Sequence, residues 1–421
     1  MEIKPFSKKI LDLTAEAEAA LAPRFAAFDA VACRGTERVL ASFAEHKVSD
    51  AIFAPSTGYG YDDRGRDTLD SIYADVFGAE AAFVRHSIAN GTHALTIGLF
   101  GLLRPGDILL SVTSQPYDTL AEVIGIHDDN KNGSLKDFGV EYRQIDLLPD
   151  GGIDFPAITE TLKACGDRVK VVFIQRSKGY LNRPTLSPEQ IGEVVKVTKS
   201  LSDAYVMVDN CYGEFTCDTE PTMFGADLMV GSLIKNPGGG MAESGGYLAG
   251  TARAVELASY RLTSPGVGLE VGATLGTTRS LYKGFFYAPH TVAQALKTAA
   301  LAAYLFEALG CTVEPRWNEE RYDIIQTIQC GNAEGLCAFC RGIQSGSPVD
   351  AFVTPEPWAM PGYRDEVIMA AGAFVQGSSI ELSADGPLRA PYTAYLQGGL
   401  TYESGRYGIM RAADEILKTR T

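Results

Sequence analysis

Two apolar runs end on residues that can do chemistry. Val206-Met207-Val208-Asp209-Asn210 closes on a carboxylate. Gly231-Ser232-Leu233-Ile234-Lys235 closes on a lysine, followed by Asn236-Pro237-Gly238-Gly239-Gly240. A carboxylate at the end of a buried strand has lost much of its water and needs a cation or hydrogen bonds. A lysine in a partly desolvated pocket sheds its proton more readily and becomes a nucleophile toward carbonyls. Either residue alone reads as a loop residue. Together, one strand apart, they are the pair that pyridoxal phosphate requires: an amine for attachment, and an acid that keeps the ring nitrogen protonated so that the ring can accept carbanion charge.

Two further segments suit the same ligand. Ser87-Ile88-Ala89-Asn90-Gly91-Thr92-His93 lies between a strand and a helix. Free N–H groups at a helix start, with Gly91 for close approach and the Thr92 hydroxyl, make a phosphate site that Ser232 could extend. Ser114-Gln115-Pro116-Tyr117-Asp118-Thr119 follows the strand ending near Val112, where Tyr117 could lie flat on a cofactor ring. His86 and His93 flank the phosphate segment and read best as packed or capping residues.

These residues need a scaffold that gathers strand ends. Ala81–Val84, Ile108–Val112, Val140–Ile145, Val169–Ile174, Tyr205–Val208, Leu228–Val230 and Tyr247–Ala249 are short, apolar and separated by turns, with helical stretches between several of them. This is the pattern of a large, mostly parallel seven-stranded sheet in an α/β fold, whose ligands sit at the carboxyl ends of the strands. Ahead of it, Ile10, Leu13, Ala17 and Leu21 mark a helix that Pro23 is expected to interrupt, and Thr36 is expected to cap a second helix running to Glu45. Thr68–Phe77 and Gly91–Leu103 also read as helices. A long helix from Thr291 to Leu309 precedes a smaller α+β region, with strands expected at Tyr322–Gln329, Asp350–Val353, Val367–Ala370 and Ser379–Leu382 and a helix at Glu403–Leu417. The expected division is residues 1–50 as a helical lead-in, 51–290 as the large cofactor-binding domain and 291–421 as the small C-terminal domain.

Composition narrows the function. The 421 residues carry 37 Lys and Arg against 52 Asp and Glu, a formal charge of −15. No broad basic field exists to attract nucleic acid or anionic membrane. No apolar run is long enough to cross a bilayer, and the lysines near Met1 are not followed by the apolar core of a signal peptide, so a cytoplasmic protein is expected. The eight cysteines then read as free thiols. Cys337 and Cys340 form one CxxC, but no histidine or second CxxC stands at a matching spacing, and no metal site is expected.

The chain resembles the fold-type I pyridoxal-phosphate enzymes. More narrowly, it resembles the methionine gamma-lyase / cystathionine beta-lyase-like family associated with aluminium resistance. The segments that carry this are Ser56-Thr57-Gly58-Tyr59-Gly60-Tyr61-Asp62-Asp63 with Gly65-Arg66-Asp67, Ile174 to Tyr180, Val208 to Phe215, Ser232 to Gly240 and Pro391 to Leu400. The resemblance implies that Lys235 holds the cofactor covalently and Asp209 pairs with its ring nitrogen. Gly91, Thr92 and Ser232 would hold the phosphate with Asn90 close by, and Tyr117 would stack on the ring. Gln175 or Arg176 would bond the ring oxygen. A tyrosine and an arginine from Tyr59, Tyr61, Arg64 and Arg66, with Tyr61 and Arg66 favoured, would reach the phosphate of a neighbouring subunit. That makes a dimer with shared active sites the minimum and a tetramer plausible. The substrate carboxylate would meet Arg389 or, less favoured, Arg406, with Tyr59 also expected at the substrate. The family's arginine two residues before a serine near the C-terminus is absent here, which leaves that assignment open.

The implied activity is carbon–sulfur bond cleavage of a small sulfur amino acid. Lys235 takes the α proton, and Tyr117 or a neighbour's tyrosine acts as acid on the leaving sulfur. Loss from the β carbon gives pyruvate and ammonia. Loss from the γ carbon gives 2-oxobutyrate, ammonia and a thiol. The rivals are an aminotransferase or aldolase on the same fold, and a non-catalytic cofactor- or metal-binding protein.

Overall fold

A computed structural model describes residues 5–127, 131–181, 183–360 and 365–420. The polypeptide begins with one helix, α1 (Lys8–Glu45). Pro23 does not interrupt it. Proline removes one backbone bond and crowds the carbonyl four residues back, but here Pro23 and Ala19 both face solvent. The stripe Ile10, Thr14, Ala17, Leu21, Phe28, Gly35 and Val39 stays buried on the other side. Thr36 therefore lies inside a helix rather than capping one. Ser7 is the cap, and its hydroxyl also donates to Asp414 at 2.7 Å.

The chain then alternates. It runs through α2 (Arg64–Phe77), β1 (Ala81–Arg85), α3 (Gly91–Leu102), β2 (Ile108–Ser111), α4 (Asp118–Ile124), β3 (Glu141–Gln144), α5 (Phe155–Cys165) and β4 (Val169–Gln175). Next come α6 (Pro188–Leu201), β5 (Tyr205–Asp209), β6 (Leu228–Ser232), β7 (Gly246–Gly250), α7 (Ala252–Leu262) and α8 (Thr278–Ala308). The seven strands form one sheet in the order β1-β7-β6-β5-β4-β2-β3. Only β7 runs against its neighbours; the other pairs are parallel. Helices cover both faces, so β2 and β6 are buried at every position.

Beyond α8 lies a second sheet: β8 (Thr312–Glu314), β9 (Gln326–Gln329), β10 (Val367–Ala370), β11 (Ser383–Pro387) and β12 (Thr393–Gln397). It is antiparallel throughout, in the order β10-β11-β12-β9-β8. The helices α9 (Ala333–Ser345) and α10 (Tyr402–Thr419) complete this region, and α9 packs on the sheet. Two expected strands are not strands. Asp350–Val353 is an exposed turn, with Asp350 at φ 51° and no strand paired with it among the described residues. Ser379–Leu382 is a buried loop that bonds to the following turn through Gly399 N–H to Ile380 and Leu400 N–H to Glu381. The ladder starts only at Ser383. The expected division at residue 290 falls inside α8, which is continuous past it. Among the described residues no helix is long and apolar enough to cross a membrane.

Candidate active site

The carboxyl ends of β4, β5 and β6 open onto a cavity of about 480 Å³. Asp209 is the last residue of β5, and its Oδ1 accepts the Cys211 backbone N–H at 3.1 Å. Burial pushes its pKa up, while Lys235 and the Cys211 bonds pull it back.

Lys235 follows β6. The glycines after it let its loop fold tightly and press against α8: a Cβ on Gly238 would stand 1.7 Å from the Leu233 carbonyl of the same loop, and one on Gly239 2.3 Å from the Gly284 carbonyl of α8. Asn236 ties this loop to the one after β5 by donating to the carbonyls of Tyr212 and Glu214, both at 2.9 Å. Lys235 Nζ sits 4.0 Å from the Tyr212 ring centroid. Burial works against the ammonium, but Cys211, Tyr212, Asp209 and Tyr117 outweigh it and hold the lysine's pKa up.

At the other end of the cavity α3 presents its N-terminus. Asn90 caps it by accepting the His93 N–H at 2.9 Å. Gly91 and Thr92 line the cavity beside Ser232, and a Cβ on Gly91 would lie 3.3 Å from Cys211 Sγ and 3.4 Å from Ser232 Cβ. Ser232 Oγ is buried and has no hydrogen-bond partner among the described residues.

Tyr117, the N-cap of α4, is placed from both ends. Its backbone N–H donates to Gln175 Oε1 at 2.9 Å, and its hydroxyl lies 2.8 Å from Thr92 Oγ1. Burial, with Asp209 nearby, raises its pKa well above the ordinary phenol value.

The structure thus brings together Asn90, Gly91, Thr92, Tyr117, Gln175, Asp209, Ser232 and Lys235. It leaves the expected arginines outside. Arg176 is fully buried beneath the strand end, with Nη1 2.7 Å from Asn210 Oδ1 and 3.5 Å from Glu220 Oε2. Successive strand residues face opposite sides, so Gln175 and Arg176 cannot both reach the cavity. Arg66 is also buried, donating to the carbonyls of Gly60 at 2.8 Å and Gly272 at 3.1 Å. Arg64 is the exposed arginine of that stretch. Tyr59 and Tyr61 stack on each other at 5.3 Å and are 72% and 64% exposed, away from this chain's own cavity. Arg406 pairs with Glu18 of α1 at 2.7 Å. Arg389 pairs with Asp365 at 2.8 Å and lines an adjoining cavity of about 240 Å³ that shares Tyr117, Gly179 and Tyr180 with the main one. His93 Nδ1 accepts the Ala89 N–H at 3.1 Å, and His86 Nε2 lies 3.0 Å from the Ala273 carbonyl, so both are packing or capping groups.

Sequence reasoning gave no role to Asp385, Tyr180, Tyr212, Tyr395 or Gln397, all of which line the cavity. Four of them lie within the segments that carry the family resemblance, which was the available signal. Asp385 sits in Asp-Gly-Pro, which reads as a turn and gave none.

A family model described as methionine gamma-lyase matches residues 10–417. The chain belongs to the methionine gamma-lyase family. Within the family's reach, it is 53% identical over 404 residues to the uncharacterized protein YnbB of Bacillus subtilis, covering 96% of this chain and 95% of that one. A carbon-sulfur lyase involved in aluminum resistance from Clostridium novyi shares 49% identity at a TM-score of 0.94, covering 98% of this chain and 96% of that one. A candidate cystathionine beta-lyase involved in aluminum resistance from Clostridium acetobutylicum shares 46% at 0.94, covering 97% and 96%. The fold extends further, to the pyridoxal-5'-phosphate dependent protein YhfS of Escherichia coli, at 14% identity and a TM-score of 0.62 over 92% of this chain and 96% of that one. The architecture is fold-type I.

Family membership implies pyridoxal phosphate, and the residues present fit it. The orphaned Ser232 Oγ and the free helix N-terminus at Gly91 and Thr92 suit a phosphate. The buried Asp209 carboxyl suits a ring nitrogen, and Lys235 supplies the amine.

Proposed function

We propose that this protein is a pyridoxal-phosphate-dependent carbon–sulfur lyase acting on sulfur amino acids, releasing a 2-keto acid, ammonia and a thiol. The observation that carries the reading is the convergence of Lys235, Asp209 and the Gly91–Thr92–Ser232 cradle on one cavity large enough for cofactor and substrate. Bound pyridoxal phosphate supplies an electron sink for charge developing at the substrate's α carbon. Lys235 would hold the group, and Asp209 would keep a proton at its ring nitrogen. Gly91 and Thr92 N–H groups and the Ser232 hydroxyl would hold the phosphate, and Tyr117, whose backbone N–H donates to Gln175, would line the ring's place. Once the substrate's amine has displaced it, the freed Lys235 Nζ would take the α proton as general base. The Tyr117 hydroxyl, kept protonated by burial, holds a proton for the departing sulfur. We assign the substrate carboxylate to Arg389, which lines the adjoining cavity and would exchange Asp365 for it.

The stacked, exposed Tyr59 and Tyr61 support a dimer in which this loop reaches the neighbour's site, with the exposed Arg64 to accompany it. A tetramer of two such dimers is the larger assembly proposed.

The test is the visible absorbance of the purified protein on adding L-methionine, L-cystathionine and L-cysteine in turn, with the keto acid assayed in the absence of any amino acceptor. A band that shifts with substrate and release of 2-oxobutyrate or pyruvate is expected. Lys235→Ala should lower turnover by at least about a thousandfold. Full activity in that variant, or no band when pyridoxal phosphate is supplied, sinks the reading.

A further inference from the structure

The cofactor assignment accounts for the β5–β6 end of the cavity and leaves the opposite wall unexplained. That wall comes from the small sheet and the loop after β4: Asp385 on β11, Tyr395 and Gln397 on β12, and Tyr180. Side chains alternate along β11. Ala384 is fully buried, and a Cβ on Gly386 would meet Leu336 of α9 at 2.9 Å, so those positions face the helices. Asp385 between them faces the cavity, opposite Tyr395 in the ladder. The Tyr395 ring packs on Tyr180 at 4.8 Å, and Tyr180 bonds the Asp385 carboxyl. Asp385 Oδ1 remains out of solvent with no hydrogen-bond partner among the described residues.

A desolvated carboxylate oxygen with no donor is costly, and the cost is recovered when a donor arrives. Burial pushes the Asp385 carboxyl up to about 7, and an arriving cation would draw it back to the carboxylate, whereas an arriving carboxylate would not. An ammonium is such a cation. Every amino acid brings one ammonium at the carbon that must approach Lys235. A thioether with an amino acid on each side of sulfur brings a second, at its far end. Past Tyr180 the cavity adjoins the smaller one that holds Arg389. Arg389, paired with Asp365, lines that smaller cavity rather than this wall, so the acid on the wall is Asp385.

We propose that Asp385 is a binding residue for a substrate ammonium, and that it selects a thioether whose departing half carries its own amino group. This rests on the lyase reading and names the substrate class for the same site.

The test uses two ligands with no sulfur to lose. Diaminosuberate is the carbon isostere of cystathionine, and aminosuberate lacks one of its amino groups. Calorimetry on the holoenzyme should show diaminosuberate binding at least about tenfold tighter, the worth of one charge-assisted bond. In Asp385→Asn the ratio should fall to about one. Equal binding of the two ligands by the wild-type protein overturns the proposal, and needs no variant to fold. So does a ratio that survives in Asp385→Asn, including the case where both ligands weaken together because the carboxylate serves only the α-ammonium. Neither ligand can be cleaved, so failure of the lyase reading would show separately, as no keto acid from cystathionine while the binding preference stands.

Discussion

The nitrogen of Lys235 lies over the ring of Tyr212, 4.0 Å from its centroid. Tyr212 is held there at φ 75°, a left-handed conformation, by the loop that Asn236 ties down. A ring face under an ammonium favours the charged form by about 0.5–2 kcal/mol. Tyr212→Leu keeps the backbone conformation no easier than before but removes the ring. It should lower the Lys235 pKa, whereas Tyr212→Phe should not. Acylation of Lys235 in the cofactor-free protein, followed by mass spectrometry across pH, reads this directly. An unchanged profile in Tyr212→Leu would remove the ring from the account.

Ser232 gives a cleaner separation of folding from binding. Its hydroxyl is buried and bonds to no protein group. Ser232→Ala should therefore leave the cofactor-free protein as stable as before or slightly more so. Its affinity for pyridoxal phosphate should fall by about tenfold or more, the loss of one hydrogen bond to a charged group. Reconstitution followed at the cofactor's absorbance measures the affinity, and thermal unfolding measures the stability. Lower stability with unchanged affinity would mean the hydroxyl serves the fold.

Arg176 is expected to matter for stability. Its guanidinium, with no exposed surface, faces Glu220, also buried, at 3.5 Å. Arg176→Met would leave that carboxylate without its cation, at a cost of about 3–5 kcal/mol. The urea midpoint should drop accordingly. A midpoint within error of the parent would show that the pair is not the support the packing suggests.

Glu214 predicts a pH dependence. Burial pushes its pKa up to about 8 from the ordinary 4.5. Its Oε1 accepts the Tyr247 hydroxyl at 2.8 Å, while Oε2 is buried without a partner. Between those two pH values the folded chain holds a proton that the unfolded chain has released. Stability from this group therefore falls as pH rises from about 4.5 toward 8, with a slope of at most about 1.4 kcal/mol per pH unit. Glu214→Gln should flatten that slope, seen as a smaller change in unfolding free energy between pH 5.5 and about 7.5. An equally steep slope in the variant would assign it to another group.

Much of the site was legible because strand ends in a parallel sheet converge. Once Val206–Asp209 and Gly231–Lys235 read as neighbouring strands, Asp209 and Lys235 had to share an edge, and the helix entry at Asn90–Thr92 had to face them. What depended on side-chain direction was not legible. Gln175 closes β4 and Arg176 follows it, adjacent letters whose side chains point apart, and Arg64 and Arg66 differ in whether the first turn of α2 turns them outward or inward. Asp385 was hidden for another reason. Its partner wall is built by the strand ends of the large sheet, far away along the chain, and nothing local distinguishes it from a turn residue. Pro23 misled because a proline's effect depends on whether its freed carbonyl meets water, which is a property of how α1 lies on α8.

The unbroken run of α8 has a consequence for substrate reach. This helix of 31 residues touches the lysine loop near one end, where Gly284 meets Gly238 and Gly239, and the small sheet's turn further along, where Thr298 meets Gly399. The two walls of the cavity are thus indexed to one screw. Inserting a single residue between those contacts would turn the far wall by about 100° and advance it about 1.5 Å, carrying Asp385 out of register with Lys235 while every strand stayed intact. The span of thioether that fits is, on this view, counted in turns of α8.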